Sequence, residues 1–214
     1  HVYSAVMSTT RALAKAGVTD YEIIILVNTR RDGMSDRTAK IALELAQQDN
    51  HIRAVINNRF QPFGTTYWQG VDLAQKEYVM FIPSDDETVE DSLVGIISAM
   101  GKTALVDPFT ANPEVRTFKR CFVSRAFVIL CNFLFGLRLK YYNGTCIVKR
   151  EMILRVPLRS ESFAYMVQVL VFLIKSGATY VEEPMAIKPT TATASFKIKS
   201  VIEAINAITD LFWE

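Results

Sequence analysis

Histidine is nearly missing from this chain: His1 and His51 are the only two among 214 residues. Two isolated imidazoles cannot build a histidine metal centre or a Ser-His-Asp triad, which removes several enzyme classes at once. Cysteine is sparse as well. Cys121, Cys131 and Cys146 are odd in number, lie in apolar or mixed stretches and lack the paired spacing of a zinc site. They read as reduced core thiols of a cytosolic protein. Charge of one sign is lacking: the formal net charge is +2, so there is no bulk electrostatic case for nucleic acid. His1 to Thr10 carries neither the basic nor the long apolar region of a secretory signal. Long apolar runs are also wanting. Ala126–Leu137 is the longest; Asn132 interrupts it, and it falls short of the roughly 20 residues of a spanning helix. The expectation is a chain that does not span a membrane, with peripheral contact left open.

What is present is α/β patterning. Val2, Ala5, Val6, Ala12, Leu13 and Ala16 recur at helical spacing, and Gly17 is a natural stop. Tyr21–Val27 is a continuous run of β-formers rather than an alternating one, the pattern of a strand covered on both faces of a parallel sheet. A polar loop, Asn28–Gly33, follows, and Ser35 or Asp36 is placed to cap the helix carrying Ala39 to Ala46. Ile52–Ile56 reads as a second strand, Tyr67–Ala74 as a helix, and Glu77–Ile82 as a third strand ending at Pro83. The spacing predicts a doubly wound, mostly parallel sheet flanked by helices, with ligands outside the carboxyl ends of its strands. Beyond Asp107 the spacing predicts a basic, then apolar helix over Arg116–Leu137, a turn at Tyr141–Gly144 and a strand over Thr145–Val148. A helix over Phe163–Ser176, a strand over Tyr180–Met185, a small polar stretch Thr190–Ser195 and a closing helix from Lys199 complete the chain.

Two strand ends are therefore candidate sites. Asp85, Asp86 and Glu87 crowd carboxylates at the end of a buried strand, and a divalent cation would offset their repulsion. Mg²⁺ takes one or two protein carboxylates and keeps oxygens from water and phosphate. The same residues would equally serve as the acidic first turn of a helix starting at Ser84 or Asp85. Arg116 and Arg120, on one predicted helical face, would clamp a phosphate, or would simply be a solvated basic face. The apolar residues after them suit a helix resting on anionic lipid, or a dimer contact, with Phe133 and Phe135 the residues to test. Lys197 and Lys199 follow the small polar stretch and would close over phosphates as a lid, or stay solvated. Gly64 admits close backbone approach to a ligand, or makes a turn.

The order Tyr21–Asn28, Asp32-Gly33, Gly64 with Gly70, then Glu77–Val79 leading to Asp85-Asp86-Glu87 resembles family 2 glycosyltransferases of the GT-A fold. Arg116–Arg125, Gly136–Leu139, Tyr141–Gly144, Glu182–Pro184 and Ser195–Lys197 resemble the branch of polyprenyl-phosphate mannose and glucose synthases. The resemblance implies one GT-A domain over residues 1–214, with a nucleotide-sugar half (1–107) and an acceptor half (108–214). It implies an inverting hexosyltransferase using Mg²⁺ or Mn²⁺, a nucleoside-diphosphate sugar donor, and a polyprenyl phosphate or glycan acceptor at the cytoplasmic membrane face. By the same resemblance Asn28 and Thr29 stand where strand-end acids contact the base, with Asp32 and Gly64 in the donor region. Asp85 matches the second acid of the metal motif and is the metal ligand, and Glu87 is the position after it; were the acceptor a hydroxyl, Asp86 or Glu87 would be the nearest candidate for a carboxylate base. Arg116 and Arg120 meet acceptor phosphate or donor pyrophosphate, while Ser195 and Lys197 belong to a loop that closes over the donor.

The chain also departs from that pattern. Pro83 replaces the first Asp of Asp-x-Asp, Asn28–Arg31 replaces Asp-Asp-Gly-Ser, Gln61-Pro62 replaces Asn-x-Gly, and Gln168 stands where Glu is common. The family's opening strand, with its Pro-x-Tyr-Asn-Glu turn, has no counterpart in the sequence. These departures keep a second reading open: a GT-A scaffold that binds nucleotide sugar without turnover. A nucleotidyltransferase ranks last, for want of a Gly-rich signature near the first strand.

Overall fold

The computed structural model describes residues 1–30, 37–162 and 165–189. The expected elements at Ser35–Asp36 and from Thr190 onward, with Asp32, Ser195, Lys197 and Lys199, lie outside those residues, as does Phe163.

Helix α1 (Val2–Lys15) leads through Gly17, at φ +75°, into strand β1 (Ile23–Asn28). Helix α2 (Thr38–Gln48), strand β2 (Ile52–Asn57), helix α3 (Phe63–Leu73) and strand β3 (Tyr78–Met80) follow. Helix α4 (Glu90–Ser98) and strand β4 (Leu105–Thr110) come next. A 3-10 turn (Pro113–Val115) precedes the long helix α5 (Phe118–Phe135). Strand β5 (Ile147–Lys149), the short helix α6 (Arg150–Ile153), helix α7 (Tyr165–Lys175) and strand β6 (Tyr180–Met185) end the described chain.

The sheet is mostly parallel, as expected: β1–β2 and β4–β6 are parallel ladders of six residue pairs each. β5 runs antiparallel to β3 and β4 in ladders of only three and two pairs. Period-2 alternation places the core on both faces of the larger sheet. Leu105 and Val148 face a core with α7 and the inner side of α5, whereas Val106 and Ile147 face α4. A third core joins Val2 and Val6 of α1 with Ile25 and Val27 of β1 and with Ala42 and Leu45 of α2. Within the described residues, helices cover both faces of the larger sheet.

Three expectations are corrected. The sheet is not continuous: β1–β2 form one sheet, and β3-β5-β4-β6 another. Ser84 and Asp85 do not start a helix. α4 begins at Glu90, after Val89, because Asp86 takes a left-handed φ of +58° that no helix accommodates. Arg116 and Arg120 do not share a helical face either. Pro113 opens the separate 3-10 turn, Arg116 is extended at φ −101° and ψ 157°, and α5 starts only after Thr117.

Asn132, the polar break in the long apolar run, has a structural task. Its amide donates to Leu139 O (2.8 Å), while its Oδ1 accepts from Leu139 N (3.0 Å) and Tyr142 Oη (2.8 Å). The turn after α5, made by Gly136 in the left-handed region, is thereby tied back onto the helix.

Candidate functional site

The parallel register of β1 and β2 sets Asn28 beside Asn57, and their amides interlock. Asn57 Nδ2 donates to Asn28 Oδ1 (2.8 Å) and to Gln69 Oε1 (2.8 Å), and Gln69 Nε2 returns a bond to Asn57 Oδ1 (3.0 Å). Asn28 Nδ2 donates to Thr66 Oγ1 at 2.6 Å, and Thr29 Oγ1 donates to Asn57 O at 2.9 Å. This network bolts the carboxyl ends of β1 and β2 to the first turns of α3. Sequence reading singled out Asn28 and Thr29 but missed Asn57, Thr66 and Gln69. The available signal was the amide at the equivalent end of the next strand.

The start of α3 is held by a chain of contacts from the far half. Gln168, 1% exposed, accepts from Ser160 N (3.1 Å), and Glu161 O accepts from Gly64 N (2.9 Å). A Cβ on Gly64 would lie 2.1 Å from Ser160 O and 2.7 Å from Ser162 O. The close approach at Gly64 is therefore made by the chain's own backbone, and the space expected for a ligand is occupied. A neutral amide at Gln168 satisfies the loop without burying a charge.

At the other strand end, Asp85 is exposed and accepts weakly from Glu87 N (3.3 Å). It borders two openings at once. One is a cleft of about 1200 Å³ that also touches Asn28, Thr66 and Pro83; the other is a recess of about 370 Å³ with Arg37, Thr38 and Ile41 at the start of α2. Asp86 turns away: its Oδ2 accepts from Lys188 Nζ at 2.6 Å, and Lys188 N donates to Glu87 O at 2.7 Å. The three acids thus divide into one open carboxylate, one neutralised carboxylate, and one residue whose backbone anchors the segment after β6. Arg37 and Lys188 carry no spacing signal of their own and went unnoticed in the sequence.

Among the described residues no group of three or more His, Cys, Asp or Glu could hold a metal ion. The donor set still fits a Mg²⁺- or Mn²⁺-like ion: one open carboxylate beside a roomy recess leaves most coordination positions to water and phosphate.

Arg116 and Arg120 line neither opening. Arg116 Nη1 donates to Tyr141 Oη (3.3 Å) with its guanidinium 5.8 Å from that ring's centre, and Arg120 is half-buried on α5. They lie beyond the cleft, at the 3-10 turn and on α5. On β4, Asp107, 1% exposed, accepts from Cys146 Sγ at 3.2 Å and stands in register with Glu182. Burial pushes its carboxyl up to about 7; the Cys146 bond opposes the shift and the Glu182 charge adds to it. A raised folded-state value means the folded chain binds the extra proton. Stability is therefore full below the ordinary aspartate value of about 4 and falls as pH rises through 7. Asp107→Asn is expected to flatten that decline, measured as thermal midpoint against pH between 4 and 8.

The sequence profile described as "Glycosyl transferase family 2" matches residues 4–159, and the chain belongs to that family. No curated protein matches it significantly. Among solved structures it is similar to glucosyl-3-phosphoglycerate synthase from Mycobacterium tuberculosis in complex with Mn²⁺, UDP and phosphoglyceric acid. The TM-score is 0.69 at 15% identity, over 97% of this chain and 72% of that one. The same enzyme with Mn²⁺ and UDP-glucose gives a TM-score of 0.60 at 13% identity, over 95% and 82%. A further structure, described as a mycobacterial protein, gives 0.67 at 17% identity, over 98% and 68%. At these identities the likeness establishes the fold.

Proposed function

We propose that the chain transfers a hexosyl group from a nucleoside-diphosphate sugar to a phosphorylated acceptor, with inversion. The observation that carries the reading is the open carboxylate of Asp85, set where the cleft and the α2 recess meet, beside the amide network of Asn28. The solved relatives support the donor class, since they were crystallised with UDP, UDP-glucose and Mn²⁺, and their acceptor is a phosphate monoester. A divalent ion held by Asp85 would neutralise the departing nucleoside diphosphate. The chain's own residues would then position and stabilise. Asn28, held in place by Asn57 and Thr66, faces the base from the cleft wall with Thr29 bracing the strand end, Arg37 and Thr38 face the phosphates, and Arg116 and Arg120 serve the acceptor side. An acceptor phosphate is already anionic, so no strong general base is needed, in keeping with a chain that carries only two histidines. Purified protein with UDP-glucose and Mn²⁺ or Mg²⁺ is expected to release UDP, faster with a phosphate monoester present. Release from no sugar nucleotide with either metal would count against turnover.

One observation favours the second reading, a nucleotide-sugar-binding module without turnover: the Lys188 ion pair takes Asp86 out of the site. Calorimetric binding of UDP with metal, without UDP release from any donor, would support it.

A lipid-borne phosphate is the acceptor we favour, on the outer face of α5. Phe118 is 84% exposed, Phe133 83%, and Phe122 and Ile129 also face solvent, while Phe135 is buried in the core. Lys119, Arg120 and Arg125 join them, and no acidic residue occurs between Arg116 and Lys140. Apolar side chains flanked by cations suit an anionic leaflet. Among the described residues no helix is long and apolar enough to cross a membrane. In flotation with phosphatidylserine vesicles, Phe118→Glu with Phe133→Glu is expected to lower binding at least about tenfold. Sedimentation of the same variant checks for a dimer through α5. Unchanged flotation, or loss of a dimer instead, would remove the membrane reading.

A further inference from the structure

Asp85 and Asp86 are adjacent acids with different surroundings, and the backbone separates them. Asp86 takes φ +58°, the one positive φ outside glycine among the described residues. The left-handed region costs a residue with a side chain energy, although aspartate and asparagine bear it better than most. With that turn in place Asp85 is exposed, whereas the Asp86 side chain is only 18% exposed and meets Lys188 Nζ at 2.6 Å.

The segment that carries Lys188 is fixed by bonds that need no charge. Val89 N donates to Ala186 O (3.0 Å), and Ala186 N donates to Ser92 Oγ (3.0 Å). The Asn112 amide acts as a piece of strand: its Oδ1 accepts from Ile187 N (2.9 Å) and its Nδ2 donates to Ile187 O (2.8 Å). Lys188 N completes the series on Glu87 O at 2.7 Å. The ammonium is therefore not needed as an anchor, and what it adds is electrostatic. A partly buried pair is screened less than a surface one, so Asp86 is withdrawn both as a negative charge and as a free oxygen donor.

We infer that Lys188 is a positioning residue of the donor site: by holding Asp86 it limits the divalent ion to the single carboxylate of Asp85. The inference rests on Asp85 holding that ion, as proposed above. Without Lys188, two adjacent carboxylates would be open to one cation, and an ion of the Mg²⁺ type takes one or two. The free ion would then bind well by itself. With Lys188 in place most coordination positions are left to water and phosphate oxygens. The ion is then held firmly only together with the nucleoside diphosphate.

The test is Mn²⁺ binding to the intact chain, read from the electron spin resonance signal of the free ion, first without nucleotide and then with UDP. Lys188→Met is expected to tighten binding of Mn²⁺ alone at least about tenfold, because it releases a second carboxylate. Adding Asp86→Asn is expected to return the affinity to that of the unchanged chain. The double variant keeps the net charge of the original pair, and asparagine tolerates the left-handed turn. Lys188→Arg preserves the pair and is expected to bind Mn²⁺ as the unchanged chain does. Thermal midpoints check that each variant folds, and Lys188→Gln replaces Lys188→Met if that variant does not. Unchanged affinity for Mn²⁺ alone would overturn the inference. A gain that survives in the double variant would overturn it too, since Lys188 would then act on the ion without Asp86. Mn²⁺-dependent UDP binding by the unchanged chain, with no gain in Lys188→Met, defeats this inference alone. UDP binding that ignores Mn²⁺ in every variant defeats it together with the proposed function.

Discussion

Asp85→Asn is expected to lower metal-dependent UDP release by on the order of 10²–10³-fold while leaving the fold unchanged. Asp85 is exposed, and its bond to Glu87 N at 3.3 Å is one an asparagine carbonyl can also accept. The substitution therefore removes charge and little structure. What it removes is the one open carboxylate bordering both the cleft and the α2 recess. Asp86→Asn provides the contrast: Asp86 is neutralised by Lys188 at 2.6 Å, so its loss frees a lysine rather than a metal ligand, and a smaller fall is expected. Initial rates across a Mn²⁺ titration check both. An equal fall for the two variants would mean that the acidic strand end acts as a unit, against the division of roles described above.

Gly64→Ala is expected to damage stability and the donor site together. A methyl group there meets backbone, Ser160 O at 2.1 Å and Glu161 C at 2.7 Å, and backbone cannot swing aside as the end of a side chain can. Relief requires the first turn of α3 to part from the 160–162 loop, which breaks the Gly64–Glu161 hydrogen bond of 2.9 Å. Overpacking of this kind costs on the order of 1–3 kcal/mol. For a chain of this size that lowers the thermal midpoint by about 2–4 °C per kcal/mol. Thr66 moves with the turn, and with it the 2.6 Å bond that orients Asn28, so weaker UDP binding is expected as well. A thermal scan paired with a UDP titration checks this. An unchanged midpoint would show that the loop gives way without consequence. For comparison, Gly95→Ala meets open space within α4 and is expected to raise the midpoint slightly through helix propensity while leaving UDP binding alone.

Much of the fold was legible because hydrophobic periodicity is a local signal. Tyr180–Met185 was expected as a strand and is one with the same bounds, and α1, β2 and α7 shifted by a residue or two at their ends. What local patterning could not express was pairing. The continuous apolar run of β1 implied a strand of a parallel sheet covered on both faces; it does pair in parallel, but with β2 alone, and its other edge faces a cleft. The start of α5 was placed too early because the basic cluster looked helical. Pro113 and the extended Arg116 decided otherwise. Within the site, Asp85 and Asn28 were legible as polar residues at strand ends. Lys188, about a hundred residues from Asp86, was not, since an ion pair between distant segments leaves no trace in spacing. The buried acid Asp107 was missed for a related reason: its environment is made by Cys146 and Glu182, which β5 and β6 bring to it.

The central claim is that a nucleoside diphosphate is held at the Asp85 strand end through a divalent ion. Calorimetric titration of the intact chain with UDP, with Mn²⁺ and with excess chelator, tests it most directly. Binding that requires Mn²⁺ and weakens at least about tenfold in Asp85→Asn is the expected result. Equal UDP affinity with and without the ion, or in the variant, would contradict it.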